Sequence, residues 1–191
     1  MNDAATDPDI DAMARLRAGD DLALNGIMDR WSTRISSFLT RYLGNESDAL
    51  DLTQETFVGV YRARMSYKPT AKFSTWIFGI ASNQARQRLR WRRRHPEVAL
   101  ELENGAAGQG QREPADEINP RHDILLDERA RAVRSAVLAL PEDLREAVTL
   151  FEYEDMSHAE IAAVAGCSAK AVETRLYRAR QLLRETLKGW L

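Results

Sequence analysis

A single cysteine, Cys167, stands in a chain of 191 residues. A lone thiol closes no internal disulfide and supports no cysteine metal cluster. The three histidines, His95, His122 and His158, are scattered, and no HExxH, GxSxG or glycine-rich phosphate loop accompanies them. The usual signatures of hydrolytic, metal-dependent or nucleotide-dependent chemistry are therefore missing, and neither an enzyme nor a bound metal or cofactor is expected. No apolar run is long enough to span a bilayer, which excludes membrane insertion by a helix. The opening residues, MNDAATDPDID, are acidic and polar, unlike a secretory signal or a transit peptide, so a cytoplasmic location is expected. Alternating β-branched runs bounded by turn dipeptides are nearly absent, which leaves an all-α fold.

Charge is present in quantity but segregated. The formal net charge is only −2, yet six arginines fall between Arg86 and Arg94 in the stretch NQARQRLRWRRRHP, with Arg62, Arg64, Lys68 and Lys72 leading into them. From Glu97 the chain turns acidic and loose, with Gly105, Gly108, Gly110, Pro114 and Pro120 interrupting any period. Such composition marks a flexible tether. The expected organisation is a disordered tail over 1–10, a helical domain over 11–96, an acidic flexible linker over 97–124 and a second helical domain over 125–191.

In the first domain, Leu24, Ile27, Met28, Trp31, Ile35, Phe38, Leu39 and Tyr42 recur at three-and-four spacing, and Gly44 with Asn45 supplies the stop. A second helix begins with Ser47 or Asp48 as its cap. It turns Leu50, Thr53, Phe57, Val60 and Tyr61 inward and collects Asp51, Gln54, Glu55, Val58 and Arg62 opposite. Pro69 breaks the chain, and a third helix follows with Ser74 as its cap. Ala81, Ala85 and Leu89 hold that helix to a core, while Asn83, Arg86, Gln87, Arg90 and Arg93 fall on another face.

No acidic residue lies at i±4 within the arginine run, so intrahelical ion pairs do not account for it. Solvation, nucleic acid, and a membrane or acidic partner all fit the charge alone. Arginine's planar forked donors suit phosphate oxygens and guanine edges, whereas a membrane-surface helix requires a longer apolar face opposite. Arg88 and Arg92 point elsewhere and are expected only to steer nucleic acid. The neighbouring aromatics Phe73 and Trp76 suit either stacking on unpaired bases or anchoring the core.

The second domain narrows the choice. Pro141 lies in the first turn of a helix whose Glu142 and Asp143 suit the positive dipole end. The SHAE stretch, Ser157 to Glu160, is a capping box that opens a short helix. Gly166 ends that helix and Ser168 caps a longer one, which buries Val172, Leu176, Ala179 and Leu183 and presents Lys170, Glu173, Thr174, Tyr177, Arg178 and Gln181. A short helix, a tight glycine turn and a longer helix fit a helix-turn-helix, whose second helix enters the major groove; a helical hairpin in a bundle shares the same spacing.

With both halves read, the stretch AEIAAVAGCSAKAVETRLYRARQLLRETL resembles region four of bacterial RNA polymerase sigma factors, and the segments DALDLTQETFVGVYRA and KFSTWIFGIASNQARQRLRWRRR resemble region two. The order, sizes and linker are similar to the extracytoplasmic-function (ECF) subgroup of the sigma-70 family. The resemblance implies a region-two helical bundle joined to a region-four helix-turn-helix, and a factor that directs core polymerase to promoters and melts them. It implies contact with core polymerase through Asp51, Leu52, Gln54, Glu55 and Val58 on the β′ clamp helices, and of region four with the β flap. It assigns capture of a melted base to Phe73, Ser74, Thr75 and Trp76, and proximal-element contact to Asn83, Arg86, Gln87, Arg90 and Arg93. It assigns upstream-element contact to Ser168, Lys170, Glu173, Thr174, Arg175, Tyr177 and Arg178, with Lys170 and Arg175 on phosphates. An anti-sigma factor is the further implied partner. A helix-turn-helix regulator that never joins polymerase is the alternative. Two positions depart from the family: Gln87 stands where an Asp is frequent, and Glu173 where a basic residue is common. A carboxylate at 173 favours accepting from cytosine or repelling phosphate.

Overall fold

Eight α-helices make up the regular structure among the described residues, 7–96 and 120–190 of a computed structural model. The first four are α1 (Pro8–Arg17), α2 (Ala23–Leu43), α3 (Glu46–Ala63) and α4 (Phe73–Arg94). The second four are α5 (Pro120–Leu138), α6 (Glu142–Glu152), α7 (His158–Ala165) and α8 (Ala169–Thr186). The all-α expectation holds.

Two expected boundaries move. Asp7 caps α1 by accepting from the Asp9 backbone N–H, so residues 8–10 belong to a helix rather than a tail. Asp9 is buried because Trp31 Nε1 donates to one of its oxygens at 2.9 Å and Arg30 pairs with the other at 2.7 Å. Likewise α5 starts at Pro120, so residues 120–124 are helical; the rest of the expected linker, 97–119, lies outside the described residues.

The central element of the first half is α2. Its Ile27, Ile35, Phe38 and Leu39 are fully buried, and Phe78 of α4 stands edge-on to both Phe38 and Trp31, with centroids at 5.3 and 6.1 Å. Against them α3 sets Leu52, Phe57 and Val60, and α4 sets Phe73, Ile77, Ala81, Ala85 and Leu89. The inward stripe of α3 runs through Ala49, Leu52, Thr53, Thr56 and Phe57, which leaves Leu50 about a hundred degrees away and 53 % exposed rather than buried as its spacing suggested.

Three caps differ from expectation. Asn45, extended after the left-handed Gly44, accepts from Asp48 N–H and so caps α3 in place of Ser47 or Asp48. Lys72 precedes α4, placing Ser74 inside its first turn. Pro141 is the residue before α6. The caps expected in the second half are present: the reciprocal Ser157–Glu160 box, Gly166 at φ +65°, and Ser168 accepting from Ala171 N–H.

The second half packs directly on the first. The α6 helix lies against α2, and α7 against α4. The Arg145 guanidinium donates to the Tyr42 carbonyl at 2.9 Å, Arg34 pairs with the buried Glu154 at 3.0 Å, and the Arg41 guanidinium sits 4.3 Å over the Tyr153 ring. Leu138 of α5 rests on the Gly44 turn, whose φ is +71° and where an added Cβ falls 2.8 Å from a Leu138 methyl. Replacing Gly44 with alanine adds left-handed backbone strain of about 1–2 kcal/mol. The expected outcome is a lower denaturant midpoint with unchanged slope, measured by far-ultraviolet circular dichroism.

Candidate nucleic-acid interface

The arginine run divides by partner. Arg88 and Arg92 both pair with Asp48 at the start of α3, Arg92 at 2.6 Å, and all three side chains are largely buried. They are framework, not a steering charge: the acidic partner missing from the helix itself arrives from the neighbouring helix. Asn83, Gln87, Arg90 and Arg93 are exposed along the opposite side. Arg86 is turned inward, pairing with Glu146 of α6 at 2.6 Å and donating to the Val164 carbonyl of α7 at 3.4 Å. Arg93 pairs with Glu142 at 3.0 Å.

Glu146 was not singled out by sequence reasoning. It is 2 % exposed, and burial pushes its carboxyl above the usual carboxylate range, a shift opposed by Arg86 and by Ser82. The signal was present, since Glu146 falls one turn from Leu150 and Thr149 on the buried stripe of α6. An acid on such a stripe requires a partner. Glu154 is raised by burial in the same way and opposed by Arg34. Glu160 shows the reverse: hydrogen bonds from Lys72 and Ser157 hold it at about 2.

The other assigned segments are divided. On α3, Asp51, Gln54 and Glu55 are exposed and Val58 is 46 % exposed. Leu52 is 2 % exposed and belongs to the core, whereas Leu50 joins the outer face. That face therefore has two apolar side chains ringed by acids and an amide. At the start of α4, Phe73 and Thr75 are buried. Phe73 packs 5.6 Å from both Trp31 and Trp76, and Tyr67 lies 4.7 Å from Trp76. Phe73 is an aromatic core anchor, packed with Phe78 against Trp31 of α2, and Thr75 is an interior residue; Ser74 and Trp76 are half-buried at the edge of this cluster.

On α8, Ser168, Lys170, Glu173, Thr174, Tyr177 and Arg178 are exposed, and Gln181 donates to the Tyr177 hydroxyl at 2.8 Å. Lys170 donates to Glu173 at 2.8 Å and holds that carboxyl below its ordinary range. Lys170 thus offsets the acid that departs from the family pattern. Arg175 is only a quarter exposed, 3.4 Å from Asp143 and 3.6 Å from the Cys167 sulfur. It is turned toward α6, away from the outer face. Among the described residues no group of acids, histidines and cysteine is placed to hold a metal ion, and no helix is long and apolar enough to cross a membrane.

A four-helix unit ending in a basic helix, followed by a helix-turn-helix, matches two family models, Sigma-70 region 2 over residues 27–95 and Sigma-70, region 4 over residues 130–183. Those two regions define the sigma-70 class. The chain is 35 % identical over 173 residues to the ECF RNA polymerase sigma-E factor of Escherichia coli strain K12, covering 88 % of each. It is 33 % identical over 178 residues to the one of Haemophilus influenzae, covering 91 % of this chain and 92 % of that one. The solved structure of CnrH in complex with the cytosolic domain of CnrY shares 29 % identity and a TM-score of 0.69, over 96 % of this chain and 99 % of that one. The sigma factor RpoE of Bartonella quintana, crystallised with the anti-sigma factor NepR, shares the fold at 22 % identity and a TM-score of 0.64, covering 87 % and 98 %. The chain belongs to the ECF RNA polymerase sigma factor family.

Proposed function

We propose that this sigma factor docks on core polymerase through the outer face of α3 and reads promoter DNA with α4 and α8. It acts in the cytoplasm by binding rather than by catalysis. The observation that carries the docking assignment is the exposure of Leu50 and Val58 among Asp51, Gln54 and Glu55. A small apolar centre inside a charged rim is the composition of a specific protein interface. The working modules are residues 8–96 and 120–190, joined by the acidic segment between them.

Asn83, Gln87, Arg90 and Arg93 contact the proximal element, with Arg86 joining once released from Glu146. Trp76, with Ser74 beside it, is the group that meets an unpaired base at the melted segment. On α8, Thr174, Tyr177, Arg178 and Glu173 face the upstream major groove, with Ser168 and Lys170 toward phosphates and Arg175 joining them once released from Asp143. Gln87, lacking the carboxylate frequent at its position, offers both a donor and an acceptor and suits adenine. Region four also meets the β flap of polymerase. CnrH is solved with the cytosolic domain of CnrY, and an anti-sigma factor is the regulator proposed for this chain.

Run-off transcription with the purified chain and bacterial core polymerase tests the reading, using genomic fragments selected by the holoenzyme as templates. The expected result is sigma-dependent transcripts and permanganate-reactive thymines near the start site. Fragment binding without any core-dependent transcript would instead establish a regulator that does not join polymerase. Within the same assay Trp76→Ala is expected to spare duplex binding and reduce permanganate reactivity about tenfold, the loss of one stacking contact of roughly 1–3 kcal/mol. Equal loss of binding and opening would make Trp76 a core residue only.

A further inference from the structure

Three of the arginines assigned to DNA are held by three carboxylates of one short segment. Arg86 pairs with Glu146 at 2.6 Å, Arg93 with Glu142 at 3.0 Å and Arg175 with Asp143 at 3.4 Å. Two of these arginines belong to the first half of the chain and one to the second, and all three acids lie in the first turn and a half of α6. The spacing i, i+1, i+4 sets Glu142 and Glu146 on one side toward α4 and Asp143 toward α8. Guanidinium groups that recognise phosphate recognise carboxylate with the same fork.

From this geometry we infer that the start of α6 is a built-in phosphate mimic, which holds the unbound factor closed and competes with DNA for Arg86, Arg93 and Arg175. The inference rests on the DNA assignment of those arginines given above. Closure also places Arg86 under α7, where it is only 26 % exposed. A duplex approaching α4 must displace α6 before this arginine is free. Further ion pairs, Arg34 with Glu154 and Lys72 with Glu160, brace the same closed arrangement at 3.0 and 2.9 Å.

The latch is weak by construction. A buried ion pair returns little beyond the desolvation of its two charges, the partly exposed Arg93 pair contributes less, and the Arg175–Asp143 pair lies within the second half and occupies Arg175 without bridging the halves. Polymerase and promoter together are thus able to open it. The apparent DNA affinity of a molecule that is mostly closed falls by the fraction that is open.

The test compares the full chain with Glu142→Gln/Asp143→Asn and with Glu142→Gln/Asp143→Asn/Glu146→Gln. Charge-matched controls carry Asp11→Asn/Asp21→Asn for the double variant and Asp11→Asn/Asp21→Asn/Asp29→Asn for the triple, all on exposed positions of the first half. Small-angle scattering and energy transfer between dyes on the two halves report opening, and anisotropy with a fluorescein-labelled 30-base-pair duplex reports DNA affinity at fixed salt. The expected result is a larger radius and inter-dye distance for the α6 variants, graded from double to triple. Their duplex binding is expected to be about tenfold tighter than that of the matched control, which corrects for the change in net charge. Should the triple variant lose helicity, the double variant, altered only at the two more accessible acids, carries the comparison. Unchanged dimensions, or a gain in affinity no greater than the matched control's, would overturn the inference. Opening without any gain in DNA affinity would overturn the mimicry, and would locate the fault in the DNA assignment of the arginines rather than in the closed packing.

Discussion

Reversing two charges on α3, Asp51→Lys with Glu55→Lys, is expected to weaken core-polymerase binding by at least about 100-fold. Both carboxylates are exposed on the face that carries Leu50 and Val58. They lie four residues apart, so they form one acidic edge along a single side of the helix. Placing like charges opposite a basic partner costs several kcal/mol, and about 2.7 kcal/mol already corresponds to 100-fold in Kd. The fold is expected to be unaffected, because neither side chain contributes to the core; the melting temperature is the control. Leu50→Asp and Val58→Asp are expected to act in the same direction by wetting the apolar centre. Native pull-down of core polymerase or surface plasmon resonance reads the effect. Binding within threefold of the parent chain would remove α3 from the interface.

The architecture was largely legible in the sequence because its signals are local. Three-and-four periodicity in α2, the Ser157–Glu160 box, the Gly166 turn and the Ser168 cap each depend on residues within one or two turns, and each is present as expected. The errors share a different origin. The partner of Arg88 and Arg92 lies 40 and 44 positions earlier, at Asp48, and the partner of Arg86 lies 60 positions later. A helical wheel contains no long-range neighbours, so it sorted the arginines by direction but not by what they meet. The assigned melting segment suffered likewise: Phe73 and Thr75 look accessible in a contiguous motif, yet Phe73 is turned into the aromatic cluster with Trp31 and Thr75 is buried. Leu50 failed in the opposite sense. Apolar character placed it inside, while the phase of α3 set by Asn45 and by the stripe through Leu52 and Phe57 places it outside. In the proposed docking face that displacement is informative, because an exposed leucine beside Val58 enlarges the apolar centre.

Asp48→Ala is expected to be among the most destabilising single substitutions outside the hydrophobic core, at about 3 kcal/mol. Asp48 is 7 % exposed, and its two oxygens face Arg88 and Arg92, whose side chains are 25 % and 15 % exposed. Removing the acid leaves two like-charged, largely desolvated guanidiniums one turn apart on α4 at its contact with α3, so repulsion is added to lost attraction. For a chain of this length each kcal/mol moves the melting temperature by about 2–4 °C, which predicts a fall of about 6–12 °C by calorimetry. Asp48→Asn keeps a hydrogen-bond acceptor but not the charge, and an intermediate loss is expected. Combining Asp48→Ala with Arg88→Leu and Arg92→Leu removes the two like charges and is expected to recover a substantial part of the stability, the non-additivity that marks a shared network. A loss below about 1 kcal/mol for Asp48→Ala would mean that Arg88 and Arg92 are solvated and available to DNA. The expected large loss has the opposite consequence: it commits these two arginines to the framework that holds α4 against α3, and narrows the proposed DNA-reading edge of the helix to Asn83, Arg86, Gln87, Arg90 and Arg93.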